Sequence, residues 1–132
     1  MDDSTVVAAW ITSALASLSA GIYEGVAPVG AAEPYIVFSF VTAPDTATVS
    51  GDIVWTRPDV DVKAVCEGGS FTPLTSLAAG IHAALHGVRY ESTDNGTIYA
   101  SRRVASIRYT ETSGGKVYRH LGGTYRIQAK GE

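Results

Sequence analysis

The chain has only one cysteine, Cys66, among its 132 residues. A lone cysteine cannot close an internal disulfide, and it suits folding in a reducing compartment. Apolar runs such as Tyr35 to Val41 are far too short to cross a bilayer, so no membrane is expected as a partner. The opening Met-Asp-Asp-Ser lacks the basic stretch of a secretory signal. Charge is sparse at 17%, but 45% of residues are hydrophobic, which excludes wholesale disorder. A chain of this length buries about two-thirds of its unfolded surface, enough for one domain with its own core.

The net charge of −3 conceals an asymmetry. Nine acids stand against two bases from Met1 to Val88, and eight bases against four acids from Arg89 onward, giving −7 and +4. Such a split fits a nucleic-acid face, or acidic and basic edges that meet within the fold or between identical subunits.

Val7, Trp10 or Ile11, Ala14 or Leu15, and Leu18 recur at helical spacing, with Ser4 as N-cap and Gly21 as stop. Gly21 to Pro34 is too rich in glycine and proline for a regular element and reads as a loop. Tyr35 to Val41 reads as a strand buried on both faces. A second strand covers about Ile53 to Cys66; its apolar parity changes at Pro58, which predicts a bulge or bend. Thr72-Pro73 opens a second helix with Leu74, Leu77, Ala78, Ile81, Leu85 and Val88 as its apolar stripe and Gly87 at its end.

Asp94-Asn95-Gly96 is a turn. A long hairpin follows, about Thr97 to Thr110 and Val117 to Ala129, with a parity switch near Val104-Ala105. The expected fold class is therefore α+β: a mainly antiparallel four-stranded sheet with two helices packed on one face, in the order α-β-β-α-β-β.

Catalytic patterns are weak. His82 and His86 lie four apart on a helix, but Ala83 occupies the place of the metalloprotease glutamate. His120 completes a ligand set only if the last strand lies alongside. No serine sits in a Gly-x-Ser-x-Gly elbow, and Cys66 among apolar residues has no activating neighbour. Neither Gly68-Gly69 nor Gly122-Gly123 makes a phosphate loop. Tyrosines interleave with arginines from Tyr99 to Arg126, a composition suited to nucleic acid or to a protein interface. Tyr109 and Tyr125 fall on apolar parities and read as core.

The most specific pieces are Ala27-Pro28-Val29-Gly30 with Pro34-Tyr35-Ile36-Val37-Phe38, and the closing Tyr118-Arg119-His120-Leu121-Gly122-Gly123-Thr124-Tyr125-Arg126-Ile127. With the amphipathic first helix, the Trp55-bearing strand and the helix from Leu74 to Leu85, the chain resembles the tail-terminator (tail-completion) proteins of long-tailed bacteriophages. The resemblance implies a structural, non-enzymatic role without cofactor or metal. It implies a homo-oligomeric ring, usually a hexamer, that caps the tail tube and then meets the head-tail connector. Its place is the head-proximal end of the virion tail, after assembly in the host cytoplasm.

Under that reading Ala43 to Asp52 and Glu111 to Lys116 are loops that order on docking, offering Asp45, Thr46, Thr48, Asp52 and Lys116 as contacts. Asp59 and Asp61 meet bases of a neighbouring subunit. Arg102, Arg103 and Arg119 face either those acids or the lumen through which DNA passes without sequence-specific binding. The alternatives are a head-completion or neck connector ring, and a small ligand- or metal-binding α+β domain using His82, His86 and His120.

Overall fold

A computed structural model describes residues 3–42, 45–47 and 53–131. Helix α1 (Asp3–Leu15) runs into a single 3-10 turn (Ala16–Leu18), followed by strands β1 (Gly21–Glu24), β2 (Tyr35–Thr42), β3 (Asp45–Ala47), β4 (Ile53–Thr56) and β5 (Asp59–Glu67). Helix α2 (Thr72–Leu85) then leads to β6 (Val88–Thr93), β7 (Gly96–Ser113) and β8 (Lys116–Gly131).

This overturns the four-stranded antiparallel sheet and the order α-β-β-α-β-β: the described residues are mostly β, in one mixed sheet of eight strands. Three causes account for the difference. Gly21–Glu24, read as loop, pairs in parallel with Tyr35–Phe38 and becomes an edge strand. Val88 does not finish the second helix, which ends at Leu85; Gly87, at φ 81, turns the chain and Val88 starts β6. The strand read over Ile53 to Cys66 is divided at Arg57-Pro58 into β4 and β5, but its ladder with β8 continues across the break. Asp59 stands opposite Arg126, the Ile127 N–H donates to Pro58 O at 3.0 Å, and Thr56 stands opposite Ala129. Proline has no N–H to give, so it interrupts the strand without losing the register.

Across the sheet the order is β1, β2, β5, β8, β7, β6, and β4 also pairs with β8 and carries β3 on its other side. Among the described residues only β1 with β2 is parallel. Ser19, at φ 59, rather than Gly21, takes the left-handed turn after α1. Glu111 to Lys116 is no long loop: the strands run to Ser113 and from Lys116, joined by Gly114 and Gly115 at φ 59 and 78. Two successive left-handed glycines match the twist of a tight hairpin.

One face of the sheet carries the core. Ile36 and Phe38 of β2, Val60, Val62, Ala64 and Cys66 of β5, and Tyr125, Ile127 and Ala129 of β8 pack with Val6, Val7, Trp10, Ile11 and Leu15 of α1 and Leu74, Leu77, Ile81 and Leu85 of α2. The period-2 strands and period-3.6 helices thus bury one shared apolar surface. Trp10 Nε1 also donates to Glu91 Oε2, tying α1 to β6. Cys66 is buried here, and burial pushes its thiol pKa up, away from the thiolate form.

Candidate assembly interface

Alternation sends the other residues of β5 and β8 to the face away from the helices. Asp59 lies opposite Arg126, and Arg126 opposite Arg102 of β7, so one row carries a carboxylate followed by two arginines. Arg126 Nε donates to Asp59 Oδ1 at 2.9 Å and its Nη2 to Oδ2 at 3.2 Å. That fork holds the Asp59 carboxyl below the usual carboxylate range. The pair is partly exposed, so it fixes geometry more than it adds stability. One row on, Thr124 Oγ1 donates to Asp61 Oδ1 at 2.6 Å.

Further along the same face, Tyr109 of β7 stacks on His120 of β8, centroids 4.3 Å apart and 9° from parallel. Lys63 Nζ donates to Tyr109 Oη at 2.6 Å, and His120 Nε2 lies 3.0 Å from Glu111 Oε1. His120 is only 6% exposed, with its Nδ1 buried and unpartnered among the described residues. Burial holds its pKa below the ordinary 6.5, against the smaller upward pull of Glu111.

The fold therefore favours the neutral ring, and below pH 6.5 the unfolded chain binds the extra proton first. Stability should fall as pH drops from 6.5 toward the depressed folded value. Burial lowers the pKa of His82 too, which adds to that slope. Equilibrium unfolding followed across this pH range should give a shallower slope for His120→Gln; an unchanged slope would show that His120 is not a source of it.

The residues expected to make contacts are placed as follows. Asp45 and Thr46 lie on β3, opposite Thr56 and Trp55 of β4; Thr48 and Asp52 fall outside the described residues. Asp59 and Asp61 already bond within their own subunit. Lys116 Nζ is 3.8 Å from Glu67 Oε2. Arg119 donates to Gly68 O at 3.1 Å and to Thr110 Oγ1 at 2.8 Å, and its guanidinium lies 5.1 Å from the Phe71 ring centroid. Arg102 and Arg103 are exposed. Arg103 engages through its backbone N–H, which donates to His86 Nδ1 at 3.1 Å.

The histidines do not converge. His82 and His86 stack at 4.5 Å, with His82 Nδ1 3.4 Å from the buried Tyr125 Oη on the core face. His120 faces the other side of the sheet. No group of three or more His, Cys, Asp or Glu among the described residues is placed to hold a metal ion.

Tyr125 is 1% exposed as expected, but Tyr109 is 42% exposed, contrary to its reading as core. The register shift between Arg103 and Ala105 reverses the phase of β7, moving Tyr109 to the open face beside His120. The parity switch near Val104-Ala105 was the signal for it. The stacked Tyr109–His120 pair itself needed the cross-strand register, which the sequence does not carry.

The sequence matches the family described as tail completion protein gp17 over residues 5–128. Among solved structures, it is similar to a chain of the virion of a native gene transfer agent particle, at 15% identity and a TM-score of 0.57, covering 89% of this chain and 84% of that one. At that identity the likeness is one of fold. No curated protein matches the sequence. A match that enters at α1 and reaches into β8 spans nearly the whole fold, and the chain belongs to the tail completion protein gp17 family as a structural, tail-completing protein of phage virions.

Proposed function

We propose that copies of this chain close into a ring, six-fold as the resemblance implies, at the head-proximal end of the tail. The ring ends polymerisation of the tail tube protein and then offers its other face to the head-tail connector. It forms in the host cytoplasm and stays in the virion. The observation that carries this reading is the family match over 5–128, which takes in the sheet and both helices. A ring needs two different, complementary surfaces on one subunit, and an open sheet supplies them at its two edges.

Arg102 and Arg103 are both exposed but alternate to opposite faces, opposite Arg126 and Tyr125, so either one suits a lumen that passes DNA, since phosphate attraction needs no base contact. Asp59 and Asp61 are poorer partners for a neighbour's arginines, because Arg126 and Thr124 already hold their carboxylates. Electron microscopy of particles made without the protein tests the role. Overlong tail tubes are expected. Tubes of normal length beside filled heads that leak DNA would instead assign the chain to head completion.

A further inference from the structure

The sheet ends in two uncovered edges at the same height. On one side β1 pairs only with β2 among the described residues. On the other, β6 covers β7 no further than Ser101, and His86 takes the Arg103 N–H. From Val104 to Ser113 the backbone of β7 pairs, among the described residues, with β8 alone. A row of registered residues joins the two edges: Tyr23 stands opposite Val37, Val37 opposite Lys63, Lys63 opposite Gly122, and Gly122 opposite Ile107.

We propose that β1 of one copy adds to the free edge of β7 in the next copy, so that one sheet runs on through successive subunits. This rests on the ring reading and names the surface that builds the ring. The partner is a second copy for three reasons. First, the edges are level, so a neighbour set beside the sheet brings β1 against the uncovered part of β7. Strand directions alternate from β2 to β7 and β1 is parallel to β2, so β1 and β7 run oppositely and the new pair is antiparallel. Second, a charge pair is available: β1 carries Glu24, and the uncovered stretch of β7 carries Arg108 beside the level residue Ile107, with Glu111 three residues further on. Third, both edges expose apolar side chains. Val26 and Val29, just after β1, are 80% and 106% exposed, and Val104 and Tyr109 are 36% and 42% exposed.

Free edges invite pairing unless proline, lysine or a covering element blocks them. The stretch from Val104 to Ser113 contains neither proline nor lysine. Its unpaired N–H and C=O groups give affinity in strand addition, and the side chains beside them give selectivity.

Hydrogen–deuterium exchange on the wild-type chain, dilute and then assembled (with tail-tube protein where that is required), reads the edge directly. Amides in 104–112 should become protected on assembly. The Gly25 N–H donates to Phe38 O, so the alternate Glu24 N–H faces away from β2. Glu24→Pro removes that donor at an exposed edge position where proline is tolerated. It should raise the concentration for half-assembly about tenfold, and Glu24→Gln, which removes only the charge, less.

Circular dichroism and thermal melting of the dilute variant confirm that it folds. If it does not, the wild-type exchange decides alone. Rings whose 104–112 amides exchange as fast as in the monomer would overturn the strand pairing and leave the ring. A chain that never assembles, with or without tube protein, would overturn the ring reading itself.

Discussion

Gly122→Val should abolish folding. A Cβ on Gly122 would stand 2.1 Å from Val62 O and 2.6 Å from Lys63 Cα, and both are backbone atoms at the centre of the β5–β8 ladder. Neither can move without opening a ladder that runs from Asp59 opposite Arg126 to Glu67 opposite Tyr118. The cost should exceed about 4 kcal/mol, a loss reached only by a few mechanisms of which backbone collision in a core sheet is one. Gly69→Ala is the control, since its Cβ would meet nothing within 4 Å. Far-UV circular dichroism and urea unfolding should find the Gly69 variant near wild type and the Gly122 variant unfolded or insoluble. A folded Gly122→Val chain would mean that β5 and β8 do not approach as described.

Tyr125→Ala should be the most damaging of the side-chain truncations. Tyr125 is the largest of the fully buried side chains and lies between Val60 and Arg103 in the sheet. Removing a buried ring costs about 3–5 kcal/mol, a large part of the roughly 5–15 kcal/mol that keeps a domain folded. Tyr125→Phe separates packing from polarity. The 3.4 Å contact between Oη and His82 Nδ1 is long, so its loss should cost about 1 kcal/mol or less. Equal losses in the two variants, measured by denaturant unfolding, would shift the credit from the ring to the hydroxyl.

These two positions also mark where the sequence could be read and where it could not. Local periodicity exposed the stripe of α2: Leu74, Leu77, Ile81 and Leu85 are all buried. The break at Pro58 and the bulge near Val104-Ala105 showed as changes of parity, because a one-residue insertion moves every later side chain to the other face. Pairing left no such trace. Gly21–Glu24 is four residues among glycines and prolines, and only its contact with β2 makes it a strand. Gly122 and Gly123 fall within the expected strand from Val117 to Ala129, but nothing local shows that Val62 and Arg103 press close there.

The candidate contacts depend on the same cross-strand register. Division of the chain into an acidic and a basic half left open whether the two meet within the fold or between subunits. The fold instead lays β5 beside β8, so that Asp59 meets Arg126 within one subunit. Beside the open face, β1 and the far part of β7 are left as edges among the described residues, and which edges a sheet leaves open is a property of its topology rather than of any segment.

Native mass spectrometry of the purified chain, with and without tail-tube protein and at low and high salt, bears most directly on the ring. The expected result is a closed oligomer of six copies that grows scarcer as salt screens the contact between charged edges. A strict monomer that ignores tube protein at every concentration would contradict it.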